Sequence, residues 1–490
     1  MLEKMSFEKK FIFGLFIYFL LWMILPVILA SSYAFDIPEG IYWGHEWQLG
    51  YYKHPPFSSW VLYSFYSIFG FIGPYILSQI CILLTLFFVY LFAQKFVSKE
   101  KAFFSSIFVL SIYYYTWPSI EFNHNVAQMP IWAALIYIFY LILKENKWQH
   151  WIIFGVVTGI GMLTKYSVAF LVFSIVLFSL LTSYRVLWLS LKPWVAIAIA
   201  LCIFSPHVLW LYQHDWLTFT YIQSRSHEGG SGYNPLVAFK YLAAQATNFL
   251  PLIIILLCNK SFYLRFSNIN KGDRNFLLFM GFFPGILLFI ISLVTGVNIK
   301  DMWASPMWSL IALIFISMIP DQVFQQHKKG LIKGLIVWLC VITFAMASYL
   351  QFGGKIRNKP SRLDWPQNEI SLKVQQQWDS LSQCKMDNIT GDNWIAILAA
   401  TKMKNFPSVM MSISEAYSPW MNLNRLEQHG TFALWEKGDK PIIPYLAELQ
   451  KNKDMTIQQG QWIIDWDKVP NKAPLIIEWQ AFVPKSCTRL

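Results

Sequence analysis

Long apolar runs alternate with short polar ones through most of the chain. FIFGLFIYFLLWMILPVILA (11–30) and ILSQICILLTLFFVYLFA (76–93) reach the roughly 20 residues that a helix needs to cross a bilayer with its backbone groups bonded internally. Continuing the pattern predicts about 11 spans, near 11–30, 72–93, 102–118, 126–143, 151–164, 166–183, 194–211, 241–258, 276–294, 303–319 and 331–350. GVVTGIGMLTKYSVAF reads either as a tight hairpin of short helices or as one interrupted span, and the alternation of the loops favours the hairpin. The first run lacks a small-x-small cleavage pattern, so it is expected to stay as a span rather than leave as a signal peptide.

After residue 350 the pattern changes. QQQWDSL, the apolar NWIAILAAT, and the strand-like SVMMSIS and FALWE are separated by Gly391, Gly430 and polar turns, which predicts a small α/β domain over 351–490. The expected architecture is an all-α polytopic membrane domain, 1–350, followed by that domain.

Composition agrees with a membrane protein. The chain is 56% hydrophobic and only 13% charged, whereas soluble domains carry about 25% charged residues. Its net charge of +12 would suit nucleic acid in a soluble chain, but here the cations fall in every second loop. Lys4, Lys9 and Lys10 come first, then Lys95, Lys99 and Lys101, Lys144 and Lys147, Arg185 and Lys192, Lys260 to Arg274, and Lys328 to Lys333. That alternation predicts a cytoplasmic N-terminus, external loops at 31–70, 119–125 and 212–240, and an external C-terminal domain. No nucleic-acid partner is expected. Cys81, Cys202, Cys258 and Cys340 fall in or beside spans as small apolar residues, while Cys384 and Cys487 share the external tail, where a disulfide is chemically permitted. No two cysteines have metal-site spacing.

The unusual polar groups gather on the external side. Asp36 and Glu39, at i and i+3, share one face if IPEGIYWGHEWQL is an interfacial helix with Ile41, Trp43 and Trp47 toward lipid or the domain; the alternative is that Asp36 only caps that helix. Lys53 and His54 precede Pro55 and Pro56, which hold the chain extended, so Lys53 either snorkels to headgroups or meets a lipid-linked phosphate. Glu121, Asn123, His124 and Asn125 are either solubilising punctuation or hydrogen-bonding groups for a sugar or phosphate head. Arg225 and His227 flank the flexible EGGSG, either as part of a plain linker or as a phosphate fork beside a closing loop. His207, His214 and Asp215 mark the end of the seventh span. Lys165, set in an apolar stretch, either snorkels or faces a polar site.

Taken together, DIPEGIYWGHEWQLGYYKHPPFSSW, SIEFNHN, GMLTKYS, SPHVLWLYQHDWLTF and DMWASPMWSL resemble the bacterial branch of glycosyltransferase family 39. These are polytopic enzymes of the GT-C fold, related to the protein O-mannosyltransferases and the lipid A aminoarabinose transferase. The likeness covers roughly residues 5 to 350, and GDNWIAILAAT and SPWMNLNRLEQHGTFALWE resemble the outer domain of some members. The resemblance implies inverting transfer of a sugar from a polyprenyl-phosphate donor to a lipid A or lipopolysaccharide-type acceptor at the outer leaflet of a bacterial inner membrane. It implies Asp36 or Glu39 as the essential acid, although family members often carry adjacent acids and here Ile37 and Pro38 intervene. The resemblance leaves a cofactor open: some relatives place a divalent metal near the first-loop acid and a histidine, which here would be Glu39 with His124 or His227, and others need none. The remaining expected partners are membrane lipids. Protein O-glycosylation, a polyprenyl-pyrophosphate-dependent ligase, a transporter and a non-catalytic receptor are the competing readings, and the one-sided grouping of polar residues argues against transport.

Overall fold

The apolar runs become helices in the computed structural model, which describes residues 7–226, 233–266 and 269–489. The chain divides into two compact units, one made of Met1–Met23, Lys53–Ser58 and Tyr75–Ala345, the other of Ile24–Tyr52, Ser59–Pro74 and Met346–Leu490. In chain order the helices are α1 (Phe7–Leu29), α2 (Asp36–Glu46), α3 (Phe57–Phe69), α4 (Gly73–Ala93), α5 (Lys99–Ile107), α6 (His124–Glu145), α7 (Trp148–Thr164) and α8 (Val168–Leu181). Then follow α9 (Leu191–Gln213), α10 (Leu217–Ser226), α11 (Leu236–Asn248), α12 (Leu250–Cys258), α13 (Lys271–Thr295), α14 (Ile311–Met318) and α15 (Asp321–Arg357).

Among the described residues six helices are long and apolar enough to cross a membrane, and three bent pairs raise the number to nine. The pairs explain where the expected spans differ from the fold. The 241–258 span is α11 and α12 with a 44° bend, 303–319 is a 3-10 helix (Asp301–Trp308) joined to α14 at 49°, and α8 turns by 106° into a 3-10 segment, Ser183–Leu189. The expected span at 102–118 is not a continuous helix. α5 stops at Ile107 and gives way to 3-10 turns as far as Ile120. Pro118 lies in the first turn of the last of these, where its missing N–H is tolerated.

Small residues and ion pairs between helix ends hold the first unit. A Cβ on Gly155 would meet the Ala196 carbonyl at 2.5 Å, and one on Gly159 would meet Ile203 at 2.7 Å. This GxxxG spacing lets α7 approach α9 almost backbone to backbone, as close-packed helices in lipid require. The buried ammonium of Lys101 donates to the Ile319 carbonyl at 2.6 Å and to Asp321 at 2.9 Å, which ties α5 to the start of α15. Lys144 pairs with Asp273 at 2.7 Å between the end of α6 and the start of α13.

The second unit adds α16 (Gln367–Leu381), α17 (Asn393–Ala400), α18 (Leu423–His429) and α19 (Leu446–Lys451) around a sheet. Its strands are β1 (Asn388–Gly391), β2 (Ser408–Val409), β3 (Thr431–Glu436), β4 (Met455–Ile464) and β5 (Leu475–Pro484), in the order β2-β1-β3-β5-β4. β1 runs parallel to β2 and β3, while β5 is antiparallel to β3 and β4. The C-terminal domain is therefore α/β, with NWIAILAA as α17 and SV and TFALWE as strands. Gly391 has φ +119, and a Cβ there would meet the Leu434 carbonyl at 1.9 Å, so only glycine lets β1 end against β3.

A disulfide joins Cys384, just after α16, to Cys487 at the chain's end, across 103 residues. It closes most of the α/β domain into one loop, which restricts its unfolded state. Replacing both cysteines with alanine should destabilise the domain by about 2–4 kcal/mol, read as an earlier thermal unfolding step of the full-length protein in detergent. The wild-type chain should also migrate faster on non-reducing than on reducing gels.

Candidate functional site

Lys165 ends α7 in an extended conformation, φ −164 and ψ 138, and so breaks the helix where an ammonium would otherwise face hydrocarbon. Its Nζ donates to the Asn125 side-chain oxygen and lies 5.9 Å from the Trp303 ring centroid. Asn125 occupies the first turn of α6. Asn123 caps that helix, its carboxamide oxygen accepting from the Asn125 and Val126 amides at 2.9 and 3.2 Å, so this oxygen is committed to the helix start. The next residues are fixed from two sides. Ser167 donates at 2.7 Å to the fully buried Gln128, which also accepts from Trp132 at 3.0 Å, and the Tyr166 hydroxyl meets His207 Nε2 at 2.6 Å.

Lys53 and His54 come to the same place in the first unit. Lys53 Nζ lies 5.7 Å from the Tyr221 centroid, and the His54 ring is 3.9 Å from that of His124. Lys53, His54, Lys165, Tyr166, Tyr221 and Trp303 help line a cavity of about 330 Å³, and no carboxylate is among its described lining residues. Ala169 of α8 lines both this cavity and an apolar one of about 500 Å³ between α7, α8 and α9. Burial, then the nearby His124, Lys165 and Lys53, holds the His54 imidazole well below its usual pKa, so it is neutral near pH 7. Ammonium and imidazole groups set among aromatic walls supply hydrogen-bond donors that an anion can accept from.

The two acids belong to the second unit. α2 begins at Asp36, and the cap position is held by Phe35, already helical at φ −58 and ψ −47. Asp36 is therefore not the N-cap considered from the sequence; both carboxylates stand in the first turn, where the helix dipole favours negative charge. Asp36 is half-buried and Glu39 is 4% exposed. Trp43 does not face lipid. It is buried and stacks on Tyr51 at 5.1 Å, whereas Trp47 is exposed. Around α2 the unit supplies a clamp of rings: Phe35 stacks on Trp394 at 5.6 Å, and Tyr52 on Tyr417 at 4.3 Å. Burial and the neighbouring Glu39 push the Tyr42 phenol above its ordinary range.

Glu121 follows the Trp117–Ile120 turn in an extended conformation and is half-buried. Arg225 falls in the last turn of α10, its side chain outside the description, and His227 lies outside the described residues. Among the described residues no three His, Cys, Asp or Glu side chains gather as metal ligands, so no step is assigned to a metal. Sequence reasoning did not single out Tyr166, Gln128, Tyr221 or Trp303. Tyr166 and Trp303 stood inside quoted motifs, next to Lys165 in GMLTKYS and within DMWASPMWSL. Gln128 carried only the signal of a polar residue inside an apolar span.

Residues 53–210 match the family model for dolichyl-phosphate-mannose-protein mannosyltransferases. ArnT from Cupriavidus metallidurans, solved bound to undecaprenyl phosphate, superposes with a TM-score of 0.65 at 12% identity, over 96% of this chain and 98% of that one. The chain has the GT-C fold of that ArnT. The lipopolysaccharide core galacturonosyltransferase RgtA of Rhizobium johnstonii is 28% identical over 203 residues, 40% of each chain. The lipid A galacturonosyltransferase RgtD of the same organism is 23% identical over 237 residues, 46% of this chain and 49% of its own length. The chain thus spans about half the length of these curated relatives.

The depressed titration of His54 has a pH signature. An unfolded imidazole takes up a proton near about pH 6.5, and the folded site resists it. The resulting stability is fully present above about 6.5 and is lost as pH falls toward the lowered folded value. His54→Gln should flatten that acid limb of thermal midpoints measured from about pH 7.5 down to 5. An acid limb identical to wild type would show that His54 titrates normally.

Proposed function

We propose that this chain moves a sugar from a polyprenyl-phosphate donor to a lipid A or lipopolysaccharide-type acceptor at the outer leaflet of a bacterial inner membrane. The observation that carries the reading is the cavity lined by Lys53, His54 and Lys165, which shares Ala169 with a largely apolar groove. Such a pair suits a lipid with one phosphate and a long hydrocarbon tail. A transporter would not need this pairing of an anion receptor and a tail groove. The names of the curated relatives make a uronic acid the sugar class to test first.

In the proposed reaction an acceptor hydroxyl attacks the anomeric carbon from the face opposite the phosphate. The new C–O bond forms as the bond to the phosphate oxygen breaks, with inversion, and the electron pair leaves on the lipid phosphate. Lys53 and Lys165 meet that growing charge, and Asp36 takes or orients the hydroxyl proton. Arg225 remains a candidate third cation. Glu39, buried beside Tyr42, is assigned to holding the donor or acceptor rather than to proton transfer. Glu121, Asn123, His124, Asn125 and His227 are candidate contacts to the head. A phosphate leaving group needs no protonating acid, so one carboxylate suffices.

The proposed orientation places the α/β domain outside the cytoplasm, with the N-terminus cytoplasmic. The basic loops support this, and so does the Cys384–Cys487 disulfide, which persists in oxidising compartments.

Two measurements on the full-length protein test the reading. Lys53→Ala and Lys165→Ala should each weaken binding of a prenyl phosphate by about tenfold or more, in proportion to a lost charge-assisted hydrogen bond. Unchanged affinity in both would remove the phosphate assignment. Asp36→Asn should abolish transfer to lipid A or core glycolipid while prenyl-phosphate binding is retained, because it keeps the side chain's shape and removes only its basicity. Near-normal turnover would reject Asp36 as the base, and loss in Glu39→Gln alone would move the role to Glu39.

A further inference from the structure

A second groove in the first unit has the opposite electrostatic character. It encloses about 620 Å³ where two spans break, at the 44° bend between α11 and α12 and beside the 3-10 helix Asp301–Trp308. Its lining combines the polar Tyr113, Thr247, Asn248 and Asp301 with apolar side chains that include the exposed Ile254 and Val337. Asp301 accepts a hydrogen bond from Tyr114 at 2.9 Å on one carboxylate oxygen. No lysine or arginine is among the described lining residues.

We propose that this groove holds one membrane lipid with an ammonium headgroup. Its apolar lining belongs to helices read as membrane spans, including α15 and the α11–α12 pair, so lipid rather than water is the solvent that fills it. Its single charge is a carboxylate, which attracts an ammonium and repels a head whose only charge is a phosphate. The two cavities are sorted by one short element: Trp303 of the 3-10 helix lines the cationic cavity, and Asp301, two residues earlier, lines the acidic groove. A phosphate-headed prenyl lipid and an ammonium-headed lipid are thereby directed to different places. This assignment does not depend on the sugar-transfer reading.

Native mass spectrometry of the full-length protein, released from nanodiscs containing phosphatidylethanolamine, phosphatidylglycerol or a neutral glycosyl diacylglycerol, tests it. Wild type should retain one phosphatidylethanolamine in preference to the other two. Asp301→Asn should lower that occupancy by about tenfold, the scale of a charged hydrogen bond, and Val337→Trp should block it by filling the groove. Equal retention of all three lipids by wild type overturns the proposal without reference to any variant. Unchanged phosphatidylethanolamine occupancy in a stably folded Asp301→Asn overturns it as well, and preferential retention of the glycosyl lipid would reassign the groove to a hydroxyl-bearing head.

Discussion

An ammonium group cannot remain in hydrocarbon without a partner, and the arrangement of the first unit follows from where that cost is met. Lys165 stands in an apolar stretch that would otherwise run on as helix. The backbone turns extended there, the ammonium reaches Asn125 and the face of Trp303, and α8 starts afresh at Val168. Once that break exists, Tyr166 and Ser167 need partners too, and His207, Gln128 and Trp132 provide them from α9 and α6. The cavity is thus the space left by a span that had to be interrupted, and the Lys165 ammonium reaches an amide and a ring there.

The second unit solves a different problem. α2 carries two acids on a short helix, and eleven residues are marginal for a helix standing alone in water. Aromatic packing supplies the missing stability. Trp394 on Phe35 and Tyr417 on Tyr52 anchor the helix and the strand of chain beyond it to the α/β fold. The Arg362 guanidinium lies 4.5 Å from the Trp394 centroid and 5.3 Å from that of Phe35, which adds a cation over the same pair of rings. A domain that reads in the sequence as an appended tail is therefore also the support of the first-loop acids, because residues 24–52 and 59–74 fold with it.

Much of this was legible in the sequence, for reasons particular to membranes. Apolar run length marked α1, α6, α9, α13 and α15, since a helix is the cheapest way to bury a backbone in lipid. The change of pattern after residue 350 marked the α/β domain, and NWIAILAAT and FALWE found their places as α17 and β3. Lys53, His54, His124, Asn125 and Lys165 stood out because polar groups at the ends of apolar runs are expensive, and the fold brings these five together. The 102–118 segment misled because composition does not report continuity: it is apolar enough for a span, yet α5 ends at Ile107.

The sequence by itself determined that the chain is membrane-embedded, where its longest apolar helices run, that an α/β fold follows them, and which polar residues demand an explanation. These depend on local composition and period, which act through nearest neighbours in the chain. Only the tertiary structure decided that Lys165 and Trp303, 138 positions apart in number, share one cavity wall, that Asn123 serves a helix end, and that α2 folds with the distant C-terminal domain. Those outcomes depend on which faces meet across the bundle and the sheet, and a contact between distant segments leaves no periodic trace in either segment alone.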